Sequence, residues 1–430
     1  MTHTPIHTST ILQKLQENTY DELFKDIYID SSRIPYQKKR YADAIHSYVH
    51  CFGEGEVNIY SAPGRSEIGG NHTDHQHGQV LAAGINLDAI AIVRKTDDQK
   101  ICIKSDDYDM ITISTDSLEY VENELESTTA LIKGVAAGMK NKGFQIGGFQ
   151  AYITSDVLIG AGLSSSAAFE VLIGTILSGL YNDMTVSPIE IAIISQYAEN
   201  VYFGKPCGLM DQMACSVGSL VHIDFADTSA PTVEKVEFDL DRAGYSLCIT
   251  DTKGSHADLT ADYAAVPAEM KSVAQLFGKE VLVELAEAEV LADISRIREK
   301  LGDRAILRAL HFYEENKRVI TETDALKTND VKTFLTAVKA SGASSFQYLQ
   351  NVYTTKDISS QNMSVALAVS DITLGDKGVS RVHGGGFAGT IQAFVQNEAV
   401  AEYKTTMDAV FGEDSCKILK IRKYGGMQVL

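Results

Sequence analysis

Three stretches of this 430-residue chain crowd together residues that could do chemistry. From Ser61 to Gly78, the side chains of Arg65, Glu67, Asn71, His72, Asp74, His75 and His77 stand within thirteen positions, between glycines. That density of donors and acceptors suits a hydroxyl-rich ligand; the plainer readings are a polar surface loop or a metal cluster of three His and an Asp. Spacing argues against metal, because no helix sets these histidines one turn apart. From Asp156 to Ala168, the residues Gly160, Gly162, Leu163, Ser164, Ser165, Ser166 and Ala167 lead into an apolar-periodic segment. Glycines let the backbone approach a ligand, and the free N–H groups of a helix start favour phosphate. The stretch is not a Walker loop, since no Gly-Lys-Ser/Thr occurs in the chain, and Ser165 stands where a dinucleotide fingerprint needs its third Gly. Taken alone, it reads first as a turn. From Ser380 to Gly389, a second glycine cluster could cover phosphates or simply join a strand to a helix.

These stretches need elements to aim them. Helical spacing runs to about Phe52, and Val57 and Ile59 then begin a strand that leads into the first stretch. Leu87 to Val93 and Ile101 to Ile113 alternate, which predicts strands of a half-exposed sheet. A helix is expected from about Leu131 to Lys140. Phe149, Ala151 and Ile153 form a strand ahead of the second stretch, and a helix follows from Ala167 to Leu180. The helix expected over 187–204 has strong ends: Ser187 as N-cap, Pro188 at the first position, Glu190 completing a capping box, and Gly204 with Pro206 closing it. It carries Glu199. A strand from Tyr245 to Thr250, a helical region from Ala261 to Ser341 and a strand through Ile391, Ala393 and Val395 complete the chain. No repeat or linker interrupts it, and a boundary near 230 gives domains of 1–230 and 231–430.

Composition sets the frame. With 44% apolar residues, 7 Pro and 33 Gly, the chain buries sizeable cores and lacks the signature of disorder. Lys plus Arg number 38 against 57 Asp plus Glu, a formal net charge of −19, which repels phosphate backbones and anionic lipid alike. Nucleic acid and membrane are therefore not expected partners. The basic run Lys38, Lys39, Arg40 reads as a solvated helix face. Six cysteines lie far apart with no CxxC pair, which suggests neither a disulfide framework nor zinc and fits a reducing compartment. With no leader pattern and no long apolar run, the cytoplasm is expected.

In order along the chain, Ala62-Pro63-Gly64-Arg65 with His72-Thr73-Asp74, Gly162 to Ala168, Ala198-Glu199-Asn200 with Pro206 to Gln212, and Gly384 to Phe387 resemble the motifs of the GHMP small-molecule kinases, in their galactokinase branch. The resemblance spans nearly the whole chain. It implies an α+β fold of two domains, a ribosomal-protein-S5-like N-terminal one and a ferredoxin-like C-terminal one, with ATP and a sugar in the cleft between. The implied activity is ATP-dependent sugar 1-phosphorylation, galactose to galactose 1-phosphate, with Mg²⁺, and the implied partners are the small-molecule sugar and ATP. By the same resemblance, Asp211 faces the anomeric hydroxyl as base, and Arg65 keeps it ionised and stabilises charge on the transferring phosphoryl group. Gly160, Gly162, Leu163, Ser164, Ser165, Ser166 and Ala167 would hold the phosphates, Ser166 and Glu199 the Mg²⁺, and Asn71, His72, Asp74, Gly208 and Tyr263 the sugar.

The departures fall on the sugar side. Asn71 stands where the branch usually has Glu, Glu67 where it has Asn, His75 where it has Tyr, and Ala264 with Ala265 where an arginine pair follows the Tyr. A neutral amide in place of an anion would remove repulsion toward a 6-carboxylate, and His72 to Gln76 resembles the run found in galacturonate kinases. Galacturonate is therefore the alternative substrate, with galactose placed ahead. A non-catalytic sugar- and ATP-binding sensor is the alternative of another class; such proteins lose part of the Gly/Ser loop, which is intact here from Gly162 to Ala168.

Overall fold

The structure, a computed structural model, describes residues 4–106, 108–157, 162–255 and 259–430. Its first part runs β1 (Ile6–His7), α1 (Thr8–Gln16), α2 (Asp21–Tyr28), α3 (Ile34–Phe52), β2 (Glu56–Gly69), β3 (Gln79–Lys95), β4 (Lys100–Ser105), β5 (Ile111–Ser114), α4 (Thr128–Asn141), β6 (Phe149–Ser155), α5 (Ser165–Tyr181), α6 (Pro188–Tyr197), α7 (Met210–Val217), β7 (Leu220–Asp224) and β8 (Thr232–Val236). The second runs β9 (Tyr245–Asp251), α8 (Thr260–Leu276), α9 (Glu287–Ala292), α10 (Ile294–Leu301), α11 (Asp303–Lys327), α12 (Val331–Ser344), α13 (Asn362–Leu374), β10 (Gly378–His383), β11 (Thr390–Gln396), α14 (Val400–Phe411), β12 (Cys416–Leu419) and β13 (Met427–Gln428).

Small and branched apolar residues run through β3 almost without interruption, and the strand is buried on both faces. Ala89, Ala91 and Val93 share a core with α4 and α5, while Ile90 and Ile92 share one with α1, α2 and α3. A strand covered twice needs no alternation, so the half-exposed sheet expected from the sequence is confined to the β4–β5 hairpin at the rim. This larger sheet has the order β1-β2-β3-β6-β4-β5, with β13 beside β2 and the β7–β8 hairpin beside β3. The smaller sheet, β10-β11-β9-β12, is antiparallel, with α13 and α14 on one face and α11 and α12 toward the other. The sequence boundary at 230 falls between β7 and β8, both strands of the larger sheet, and β13 returns the end of the chain to that sheet.

Arg40 does not lie on a solvated face. It is buried and donates to Asp88 Oδ1 on β3 at 2.6 Å, whereas Lys39 is exposed as expected and pairs with Asp43. Among the described residues no helix is long and apolar enough to cross a membrane.

Candidate active site

The chain does not become a loop after Ile59. Strand β2 continues through Pro63, Gly64 and Arg65 to Gly69, with breaks in its register to β3 between Pro63 and Arg65 and between Glu67 and Gly69. Arg65 is thus fixed on a buried strand, and its side chain crosses to the first turn of α7. There Arg65 Nε donates to Asp211 Oδ1 at 2.7 Å and Nη2 to Oδ2 at 2.8 Å, a bidentate pair. Ser164 Oγ donates to Asp211 Oδ2, and Arg65 Nη1 to the carbonyl of Gly162. Burial alone would push the Asp211 carboxyl up, but the Arg65 charge with the Arg65 and Ser164 hydrogen bonds holds it below the usual carboxylate range. Its side chain remains 32% exposed, so the charged oxygens are reachable from outside.

The Gly/Ser stretch falls between β6 and α5 as expected. Gly160 lies outside the described residues. Gly162 has φ +65, and a Cβ there would come within 2.9 Å of Thr390 Oγ1, so only glycine fits. The buried Leu163 accepts the Arg65 amide on its carbonyl at 3.2 Å, and Ser165, Ser166 and Ala167 form the first turn of α5. Ser166 Oγ donates to Glu199 Oε1 at 3.2 Å. The capping box at Ser187 and Glu190 starts α6 as the sequence predicts. The helix then widens over 198–203 before the left-handed Gly204, and the buried Glu199 sits in that wider turn. Three of its neighbours had no role assigned from the sequence: Lys205 Nζ donates to Glu199 Oε1 at 3.0 Å, Gln212 Nε2 donates to Glu199 Oε2 at 2.7 Å and also to Glu170 Oε2 at 3.2 Å. Burial and the Glu199 charge push the Glu170 carboxyl well up.

Of the residues expected at the sugar, Gly208 and Asp74 meet. A Cβ at Gly208 would lie 1.8 Å from Asp74 Oδ2, so the absence of a side chain is what lets the carboxylate stand there. His72 Nε2 donates to the Gly385 carbonyl at 3.0 Å, and burial, with His75 beside it, pushes this imidazole down to about 3. Tyr263 donates to the Gly386 carbonyl at 2.8 Å and packs edge-on against Phe387, so it lies against the third stretch. That stretch joins two strands, β10 and β11, rather than a strand and a helix. Asn71 departs from the expectation. It is fully buried, and its amide is saturated: Nδ2 donates to Glu67 Oε1 at 3.0 Å and to the Gly384 carbonyl at 2.7 Å, while Oδ1 accepts from Ser345 Oγ at 3.2 Å and Asn351 Nδ2 at 2.8 Å. No hydrogen-bonding capacity is left to read a sugar's C6. Glu67 is drawn away as well, onto the buried Arg381 of β10.

Beside the Glu199 turn, Tyr120, Val121, Leu125 and Val201 leave an apolar surface open to solvent, 39–48% exposed. Tyr120 packs edge-on against Tyr202 of that turn, and the Glu126 amide donates to the Phe203 carbonyl.

Family models for the GHMP kinases N terminal domain and for the galactokinase galactose-binding signature match residues 130–219 and 46–95. The chain is 28% identical over 372 residues to a galactokinase of Streptomyces coelicolor, covering 86% of this chain and 92% of that protein. It is 29% identical over 350 residues to a galactokinase of Glaesserella parasuis, covering 81% and 88%. The crystal structure of Lactococcus lactis galactokinase complexed with galactose superposes with a TM-score of 0.74 at 25% identity, over 89% of this chain and 98% of that one. Mevalonate kinase of Methanococcus jannaschii shares the fold, with a TM-score of 0.59 at 15% identity over 85% and 99%. The Arg65–Asp211 pair, the Gly/Ser loop and the two matched signatures thus sit in the fold of a small-molecule kinase of the GHMP type. Among such kinases, the chain is similar over most of its length to galactokinases.

Proposed function

We propose that this protein transfers the γ-phosphoryl group of ATP to the anomeric hydroxyl of galactose. The observation that carries the reading is the bidentate Arg65–Asp211 pair beside the Gly/Ser loop, with Asp211 charged and partly open. The Asp211 carboxylate accepts the hydroxyl proton or polarises it, while Arg65 offsets the negative charge that gathers on the phosphoryl oxygens. Phosphoryl transfer asks chiefly for positioning and charge neutralisation. Ser164 to Ala167 offer amides and hydroxyls at the start of α5, and Asp74, Gly208, His72 and Tyr263 frame the sugar. The open face of Tyr120, Val121, Leu125 and Val201, adjoining the Glu199 turn, suits an adenine ring. Ser166 and Glu199 present neighbouring hard oxygens, which fit Mg²⁺. Lys205 already places a cation on the same Glu199 oxygen, a sign that this carboxylate needs a positive partner. Bound there, Mg²⁺ would neutralise phosphate oxygens. The domain division follows the two sheets more closely than a cut at 230.

Galacturonate remains the competing substrate, now on the lack of a carboxylate at position 71 rather than on a direct contact from Asn71. The deciding experiment is coupled ADP release with Mg-ATP against galactose, galacturonate, N-acetylgalactosamine and arabinose. Galactose should give the highest kcat/KM. A higher value for galacturonate would reassign the substrate, and sugar binding without turnover on any of the four would make the protein a sensor.

A further inference from the structure

Strand β2 pairs with β3 along one edge, but on its other edge the described strands β1 and β13 reach only as far as Ser61. Beyond that point the catalytic segment has an open edge, and open edges must find partners for their N–H and C=O groups. Arg65 N–H goes to the Leu163 carbonyl. The next groups are taken by side chains of the smaller sheet: Glu67 N–H donates to His383 Nε2 at 3.2 Å, and Gln392 Nε2 donates to the Glu67 carbonyl at 2.9 Å and to Ser66 Oγ at 2.8 Å. Ser66 Oγ lies 3.1 Å from the same His383 nitrogen. Because an amide N–H can only donate, Nε2 is the acceptor, and the imidazole proton belongs on Nδ1, facing Thr390 Oγ1 at 3.0 Å. A Cβ on Gly162 would lie 3.3 Å from that Nδ1, so the ring also packs beneath the glycine whose carbonyl accepts from Arg65.

We propose that His383 is a positioning residue for phosphoryl transfer: its unprotonated Nε2 replaces a missing strand partner and, with Gln392, holds residues 65–67 so that Arg65 spans Asp211 and Gly162. This rests on the kinase reading above. The ring is buried, and burial with the Arg65 and Arg381 charges nearby pushes it well below the usual histidine range, so the acceptor persists at neutral pH. The role predicts a particular pattern. His383→Leu, which fills the volume without an acceptor, should lower kcat about tenfold or more, since small misplacements of a catalytic group are costly. Galactose affinity by calorimetry should stay within about twofold, and amide exchange in the peptide spanning 61–70 should accelerate. His383→Gln, which restores an acceptor at similar reach, should recover kcat to within about threefold of the parent. Gln392→Leu should act in the same direction as His383→Leu, and it serves as the test should the latter fail to fold. Unchanged kcat and unchanged exchange in either Leu variant would overturn the proposal, as would equal losses in the Leu and Gln variants of His383. Should the parent protein phosphorylate no sugar, the kinase reading falls, and the exchange comparison still decides whether His383 secures the edge.

Discussion

Arg65 with Asp211 and Arg40 with Asp88 are the same two residue types in two settings. Asp88 and its second partner Arg422 are fully buried, and four donors reach the carboxylate: Arg40 on Oδ1, with Tyr28, Ser61 and Arg422 on Oδ2. That cluster ties α2, α3, β2, β3 and the chain's C-terminal segment together. It also reaches the entry to the Gly/Ser loop, since the Asp156 amide donates to the Asp88 carbonyl at 2.9 Å. Among the described residues Asp211 has only Arg65 and Ser164 on it, and it keeps 32% of its side chain exposed. Charge is maintained in both places by arginine; what differs is whether the carboxylate is open to a substrate. A carboxylate sealed from solvent fastens the fold, and one left partly open can take a proton.

The largest effect expected on the fastening side is from Asp88→Asn. It leaves the buried Arg422 without its counter-charge and Arg40 with Asp156 alone, at 3.3 Å, and breaking a buried pair on one side costs about 3–5 kcal/mol. Chemical unfolding should report that loss while the surviving folded fraction retains its kcat; a loss of kcat in fully folded protein would erase the contrast. Glu199→Gln is smaller. It should weaken divalent-cation binding about tenfold, read both from the Mg²⁺ dependence of turnover and from Mn²⁺ binding with ADP present, and an unchanged Mn²⁺ affinity would remove Glu199 from the metal side. The smallest concerns Glu67, an anion placed between the two extremes. Burial lifts it from an ordinary 4.5 up to about 7 despite Arg381 and Arg65. A group whose folded-state pKa is raised gives stability that is full below its unfolded value and lost as pH rises through its folded one. Stability should therefore decline from about pH 5 to about pH 7 more steeply in the parent than in Glu67→Gln; parallel curves would contradict it.

What the sequence disclosed follows the range of the forces involved. The α6 start was legible because a capping box is written in four adjacent residues, and the strand, loop and helix around Ser164 were legible from local glycine and apolar spacing. Arg40 was misread because its partner lies 48 residues away on β3, and no local pattern announces it. The continuation of β2 through Pro63 and Gly64 was hidden for a related reason: its open edge is satisfied by side chains from β10 and β11, not by a neighbouring strand. Asn71 looked like a sugar reader by position, but burial among Ser345, Asn351 and Gly384 consumes its amide. Glu170 gave no signal at all in an apolar helix stretch, although Gln212 joins it to Glu199.

The contrast between the two Arg–Asp pairs is tested most directly by measuring kcat, galactose binding and thermal stability of Asp211→Asn side by side. Turnover should fall about 10²–10⁴-fold, the range lost with a general base, while calorimetry shows galactose binding within about twofold of the parent and the melting temperature falls less than in Asp88→Asn, since Asp211 is partly open to solvent. Retention of more than about a tenth of the parent's turnover would contradict the account, because Asp211 would then be another fastener.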